Sequence, residues 1–218
     1  MRFCKPQKVR YLMIDAVRNA LYWAVMMFQK IRGLDFIKKD TSVHSSVNNG
    51  YGFTDWMQIR EIVRFIRKLG KDEYMKSIVD VGCGKGYVLA RLSRLKGTEL
   101  VGIESERHLV DIAQSNFSRM GIGDRIKIVH DDAINYKDYK KHSLIFMYNP
   151  FPSIIMRSFL NKLLREKKGQ SYLIVYVHPN AHDEIIQTDE FTLLGSLHSK
   201  LRSQNTNIYL HQTFRQEI

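Results

Sequence analysis

Hydrophobic positions along the second two-thirds of the chain alternate between two patterns. Short apolar runs, typical of buried strands, alternate with segments whose apolar residues recur every three or four positions, as in helices. The predicted strands are Ser77–Val81, Glu99–Ile103, Ile126–His130, Leu144–Tyr148, Tyr172–Val177, Phe191–Leu197 and Asn207–Thr213. The predicted helices between them are Tyr87–Leu95, Arg107–Met120, Ser153–Lys167 and a short one around Asp183–Gln187.

This alternation predicts an α/β fold with a doubly wound, mostly parallel seven-stranded sheet covered by helices on both faces. The last two strands follow each other without a helix, so we expect a C-terminal antiparallel hairpin. Helices are also predicted before the first strand. The clearest of these runs from Asp55 to Leu69, with Thr54 as its cap and Gly70 as its stop.

The charge is concentrated at the N-terminus. The 218 residues carry a net charge of +12. Residues 1–40 hold nine basic and three acidic residues, so their net charge of +6 is half of the total. We therefore predict a basic helical arm over residues 1–40 and one main domain over residues 41–218. The apolar run from Ala20 to Phe28 is too short to span a bilayer. A helix from about Val9 to Ile31 could instead lie on an anionic membrane or an acidic partner, pack on its own domain, or form a dimer contact.

The small number of cysteines excludes two kinds of site. The two cysteines, Cys4 and Cys83, exclude a disulfide framework and a Cys-rich zinc site. We expect a cytoplasmic protein without a metal, with contact at the membrane surface through the arm as an open option.

The densest motif is the glycine turn at residues 78–86, Ile-Val-Asp-Val-Gly-Cys-Gly-Lys-Gly, between a predicted strand and a predicted helix. Glycines at this place let a ligand approach the main chain closely. The spacing G-x-G-x-G differs from the dinucleotide fingerprint G-x-G-x-x-G, and no Gly-Lys-Ser/Thr ends it as in a Walker loop. The turn therefore favours a ligand other than a dinucleotide or a nucleoside triphosphate.

Acidic residues stand near the ends of three successive predicted strands. Asp80, just before the turn, would favour an ammonium group, and Glu104 could accept hydrogen bonds from two ribose hydroxyls. After the third strand, Asp131 or Asp132, with Ala133 beside them, could accept from an adenine amino group. A ligand with an amine, a ribose and an adenine, but no phosphate, satisfies all three positions.

With these motifs, residues 50–215 resemble the class I (seven-stranded, Rossmann-like) S-adenosylmethionine-dependent methyltransferases. The resemblance implies S-adenosylmethionine as the cofactor and S-adenosylhomocysteine as the product. It implies that Glu104 binds the ribose and that Asp131 or Asp132 binds the adenine. It also implies that Tyr51 covers the methionine end of the cofactor. The methionine side would be held by the turn residues Asp80, Gly82, Cys83, Gly84 and Gly86.

A second motif, Tyr148-Asn149-Pro150-Phe151-Pro152, ends the fourth predicted strand. It is similar to the [D/N/S]-P-P-[Y/F/W] motif of methyltransferases that modify nitrogen, and it resembles poorly characterised bacterial members with Tyr-Asn-Pro-Phe. The resemblance implies that Asn149 both contacts the cofactor and orients the target amine beside it, and that Phe151 packs on a flat acceptor. The chain departs from the pattern, because its aromatic residue directly follows the first proline. His178, at the end of the fifth strand, could take a proton or position the substrate.

These features predict direct methyl transfer to an unidentified acceptor, a nitrogen atom of RNA, of a protein side chain or of a small molecule. Methyl transfer from a sulfonium releases a neutral leaving group, so much of the catalysis is alignment of the reacting atoms. A non-catalytic binding or assembly module on the same fold is the alternative. A dinucleotide oxidoreductase is disfavoured by the glycine spacing and the terminal hairpin.

Overall fold

A computed structural model of the chain describes residues 20, 23–38, 54–199 and 204–212. Residues 23–31 are helical and are called α1. The further helices are α2 Trp56–Lys68, α3 Tyr87–Leu92, α4 Arg107–Met120, α5 Ser153–Glu166 and α6 His182–Ile186. The strands are β1 Ser77–Val81, β2 Glu99–Glu104, β3 Ile126–His130, β4 Leu144–Tyr148, β5 Tyr172–Val177, β6 Phe191–Ser199 and β7 Gln204–His211.

The seven strands form one sheet in the order β3-β2-β1-β4-β5-β7-β6. Strands β1 to β5 are parallel, and β7 runs antiparallel to both β5 and β6. The predicted fold class is therefore confirmed. The strand order reverses between β1 and β4, and in open α/β sheets ligands bind in the crevice at such a reversal, at the carboxyl ends of the strands.

Two hydrophobic cores cover the two faces of the sheet. Along β5, Leu173, Val175 and Val177 belong to the core on the α2 side, whereas the alternating residues Tyr172, Ile174 and Tyr176 belong to the core on the α5 side. All six residues of β5 are buried. This explains why the strand is a continuous apolar run: a parallel strand covered on both faces has no solvent side.

The predicted N-terminal cap of α2 is wrong by one residue. The side chain of Asp55, not that of Thr54, caps α2 and accepts a hydrogen bond from the Gln58 backbone N–H at 2.9 Å. Asp55 has an extended backbone and α2 begins at Trp56, so Asp55 is the residue from which a side-chain oxygen reaches the free N–H groups of the first turn. Gly70, at φ +64°, ends the helix as predicted.

The remaining differences lie at element ends. α3 ends at Leu92 rather than Leu95, and β7 begins at Gln204 rather than Asn207. Residues 204–207 are polar, so hydrophobicity alone could not show that they belong to a strand. Of the predicted helix from Val9 to Ile31, the structure describes residue 20 and residues 23–31, all of them helical.

Candidate functional site

The glycine turn joins β1 to α3 through three residues with left-handed backbone. Gly82, Gly84 and Gly86 have φ values of +69°, +54° and +80°. Other residues adopt this conformation only at a cost in free energy. At Gly86 space is limiting as well, because a Cβ atom there would lie 2.3 Å from Cζ of Phe117. Both the shape of the turn and its packing therefore require glycine.

The turn is tied to the end of β2. The backbone N–H groups of Gly82 and Cys83 both donate to the Ile103 carbonyl, at 2.9 and 3.0 Å. The Gly84 N–H donates to Oε2 of Glu104 at 2.8 Å, and Oε1 of Glu104 accepts from the Glu106 N–H at 3.0 Å. Each carboxylate oxygen has a second lone pair, so these bonds fix the Glu104 side chain and leave acceptor capacity for ribose hydroxyls.

The electrostatics of this end of the sheet favour a cation. Burial, together with the nearby Glu104 carboxyl, raises the pKa of Asp80 to about 8. Burial also raises the pKa of Glu104, against the lowering effect of its backbone hydrogen bonds. An ammonium group bound beside the two carboxyls would stabilise their ionised forms. The basic residue of the turn points elsewhere: the Lys85 ammonium donates to both carboxylate oxygens of Asp35 at 2.9 Å.

The third acidic position lies next to Glu104. The Asp131 N–H donates to the Glu104 carbonyl at 3.1 Å, so β2 and β3 end side by side. Asp131 is half-buried and its carboxylate accepts from the Asp132 N–H, whereas Asp132 is exposed and accepts from the Ile134 N–H. Ala133 is buried behind them. The structure thus brings both predicted adenine ligands to the edge of the crevice.

Asn149 follows β4 directly and has φ +36°. Its loop abuts the glycine turn, since a Cβ atom at Gly82 would lie 3.3 Å from Cβ of Pro150. The fully buried Tyr176 hydroxyl lies 2.9 Å from Oδ1 of Asn149 and accepts a hydrogen bond from the Ala181 N–H at 3.3 Å. Because the hydroxyl has one hydrogen, it donates that hydrogen to Asn149. The amide therefore turns its oxygen, not its nitrogen, toward Tyr176.

Tyr176 precedes the predicted His178 at the end of β5, and the sequence pattern predicts no role for it. It lies inside an apolar strand run, where a tyrosine is indistinguishable from core. The register Met147↔Tyr176 between β4 and β5 brings it beside the end of β4. A tyrosine two residues before the predicted His178 was the one available signal.

His178 occupies the position after β5 that Asn149 occupies after β4. Its ring is stacked on Tyr148, with centroids 6.2 Å apart and planes 20° from parallel, and the side chain is exposed. Among the described residues other than glycine, three have positive φ: Asn149, His178 and Asp189. Two of these three are neighbours at the crevice, and strained backbone of this kind concentrates at functional sites.

Two predicted site residues take packing roles. The Phe151 ring is buried against Phe159 of α5, with centroids 5.2 Å apart, so its predicted contact with a flat acceptor is disfavoured by this burial. In the motif the aromatic residue follows a second proline, whereas Phe151 directly follows the first one. The Cys83 side chain points into the core, where a Cβ atom on Gly102 would lie 2.7 Å from Sγ, so only its backbone belongs to the turn. Tyr51 lies outside the described residues.

Comparison with known proteins agrees with this geometry. Residues 78–168 match the family model of the methyltransferase domain. A protein-L-isoaspartate O-methyltransferase from Thermotoga maritima is 27% identical over 116 residues, which are 52% of this chain and 36% of that protein. The chain thus spans about a third of the length of this relative. The matched domain confirms the predicted resemblance to methyltransferases.

Solved structures share the fold at low sequence identity. An RNA methyltransferase from Salinibacter ruber, in complex with S-adenosylhomocysteine, has a TM-score of 0.55 at 16% identity, over 73% of this chain and 95% of that one. A magnesium protoporphyrin IX methyltransferase from Synechocystis with bound S-adenosylmethionine has a TM-score of 0.54 at 13% identity, over 75% and 87%. Their names specify different acceptors, so the fold leaves the acceptor of this chain open.

Proposed function

We propose that this chain, which contains a methyltransferase domain of the class I fold with S-adenosylmethionine as its cofactor, transfers a methyl group to a nitrogen atom of its acceptor. The observation that carries the proposal is the position and orientation of Asn149. Its loop abuts the glycine turn, and Tyr176 holds its carbonyl oxygen in one orientation.

The residues around the turn fit this cofactor. The buried carboxyls of Asp80 and Glu104 suit the ammonium group and the ribose hydroxyls, and the half-buried Asp131 or the exposed Asp132 suits the adenine amino group. When bound, S-adenosylmethionine supplies a methyl group activated by a sulfonium. The protein has to hold the acceptor in line with that group and to keep water away from it.

Asn149 would perform the alignment. Oδ1 of Asn149 accepts a hydrogen bond from Tyr176, and because an amide oxygen can accept more than one hydrogen bond, an N–H of the acceptor can bind the same oxygen. This bond directs the lone pair of the acceptor nitrogen toward the methyl group. Burial raises the pKa of Tyr176, so its hydroxyl remains a donor at neutral pH. The orientation of Asn149 is therefore fixed before the acceptor arrives.

His178 is the proposed proton acceptor where the acceptor nitrogen arrives protonated. A lysine-like amine must lose a proton before it can attack, and a neutral imidazole can accept that proton as a general base. An amide or aromatic amine needs only orientation. RNA, protein side chains and small molecules all contain nitrogens of one or the other kind.

The proposal is tested by transfer of labelled methyl groups from S-adenosylmethionine to a size-fractionated extract, followed by digestion with RNase or protease. We expect label in one fraction, sensitive to one digestion or in the small-molecule fraction, and loss of that label with Asn149→Ala. S-adenosylhomocysteine should raise the melting temperature of both proteins, and NAD should not. Binding of the cofactor product without transfer to any fraction would favour the non-catalytic alternative.

A further inference from the structure

The outward side of α1 is apolar. Trp23, Met27 and Ile31 recur every four residues, and 67%, 52% and 78% of their surfaces are exposed. This set is called the outer stripe. Val25 and Gln29 lie on the opposite side of the helix and are half-buried and buried. A helix on the surface of a globular domain normally carries polar residues on its outward face, so the stripe is suited to an apolar environment outside the protein.

Basic side chains lie at the end of α1 and at the groove beside it. Lys30 and Arg32, at the end of α1, are exposed. On the other side of the helix lies a groove of about 440 Å³, lined among others by Phe28, Trp56 and Arg91. Arg60 and Arg91 both lie over the Trp56 ring, at 5.3 and 6.0 Å from its centroid. These described basic side chains are complementary to an anionic surface, and the sequence of residues 1–40 carries a net charge of +6.

The segment after α1 is fixed to the domain. Asp35 forms an ion pair with the buried Lys85 of the glycine turn, and its backbone N–H and carbonyl both bond the Asn116 side chain. Phe36 is buried, and its N–H donates to the Gln29 side chain at 3.0 Å. The outer stripe is therefore presented by a helix that is already ordered, which lowers the entropic cost of docking.

We propose that α1 docks the protein on the surface of an anionic lipid bilayer, with the outer stripe inserted at the headgroup boundary and the basic residues facing the anionic lipids. Tryptophan next to aliphatic residues and flanking lysine and arginine is the composition of helices that lie in this boundary. Within the described ranges, no helix is long and apolar enough to cross a bilayer.

Co-sedimentation of the full-length protein with vesicles tests the proposal. We expect binding to phosphatidylcholine vesicles containing about one third phosphatidylglycerol, weaker binding at high salt, and little binding to pure phosphatidylcholine. The double substitution Met27→Glu and Ile31→Glu should weaken binding about tenfold or more. Ile154→Glu is the matched control, because Ile154 is 75% exposed on α5 and lies outside the outer stripe.

Tryptophan fluorescence locates the contact. The chain has two tryptophans, so Trp56→Phe leaves Trp23 as the single reporter, and Trp23→Phe leaves Trp56. Anionic vesicles should shift the Trp23 emission to the blue, and brominated lipids should quench it more than that of Trp56. The proposal is overturned by absent binding of the wild type, by equal binding of the double variant, or by a dimer in sedimentation equilibrium that the double variant dissolves.

Discussion

Two parts of the site hold their side chains by different means: the proposed cofactor side, at the ends of β1 and β2, and the proposed acceptor side, at the ends of β4 and β5. On the cofactor side, the backbone does the positioning: three glycines with positive φ form the turn, and the Gly84 N–H fixes the Glu104 carboxylate. On the acceptor side, side chains do it: the Tyr176 hydroxyl fixes the Asn149 amide.

This difference has a chemical consequence. A backbone turn presents the same N–H and C=O groups whatever side chains surround it, so it suits a ligand that is the same in different proteins. Side-chain contacts change with single substitutions, so they suit acceptors that differ from protein to protein. The two solved methyltransferases that share the fold carry different acceptors in their names.

A substitution in the glycine turn should reduce the stability of the protein more than any other substitution proposed at the site. Gly86→Ala adds a methyl group at φ +80° into a space where Phe117 lies 2.3 Å away, so we expect a loss of about 2–4 kcal/mol in the free energy of unfolding, measured by urea titration. Gly97→Ala is the matched control, because Gly97 also has positive φ, but no atom of the described residues beyond its chain neighbours lies within 4 Å of the added methyl. It should lose about 1 kcal/mol. Equal losses for both would contradict the close packing of the turn.

A smaller effect is expected from the charge on the cofactor side. Asp80→Asn removes the carboxylate that favours an ammonium group, and we expect the affinity for S-adenosylhomocysteine to fall by about tenfold to a hundredfold in isothermal titration. In the wild type this affinity should rise with pH up to about 8, the pKa of Asp80 in the protein without ligand, and level off above it. The variant should lose that dependence, and an unchanged pH profile would exclude Asp80 from cofactor binding.

Stability should change with pH in the opposite direction. The pKa of Asp80 is about 8 in the folded protein against an ordinary value of 3.8, so between these values the unfolded chain binds fewer protons. The free energy of unfolding of the protein without ligand therefore falls as the pH rises from about 4 to 8. Asp80→Asn should flatten this slope in urea titrations across the same range.

A substitution on the acceptor side should have a smaller effect, on the rate of methyl transfer. Tyr176→Phe removes the hydroxyl that orients Asn149, and we expect the rate of methyl transfer to fall by about tenfold while cofactor affinity stays the same. Tyr172→Phe is the control: Tyr172 is equally buried on the same strand, and its hydroxyl has no hydrogen-bond partner in the described structure. Equal rates for the two variants would remove Tyr176 from the positioning of Asn149.

The same contrast explains what the sequence could predict. The glycine turn, Asp80 and Glu104 lie in or beside contiguous motifs, so their proximity follows from the strand-turn-helix pattern alone. The Tyr176–Asn149 contact depends on the register of β4 against β5, which no local pattern contains. The burial of Phe151 depends on Phe159 of α5 in the same way, and the cap at Asp55 depends on which residue first takes helical angles.

The chemical stability of the transferred methyl group distinguishes a nitrogen target from a carboxyl target. Labelled product is treated with mild alkali, which releases methanol from a carboxyl methyl ester but leaves an N-methyl group in place. We predict that the label stays with the acceptor and that Asn149→Ala abolishes its incorporation. Release of volatile label, incorporated equally by the wild type and by Asn149→Ala, would contradict nitrogen as the target and Asn149 as the group that orients it.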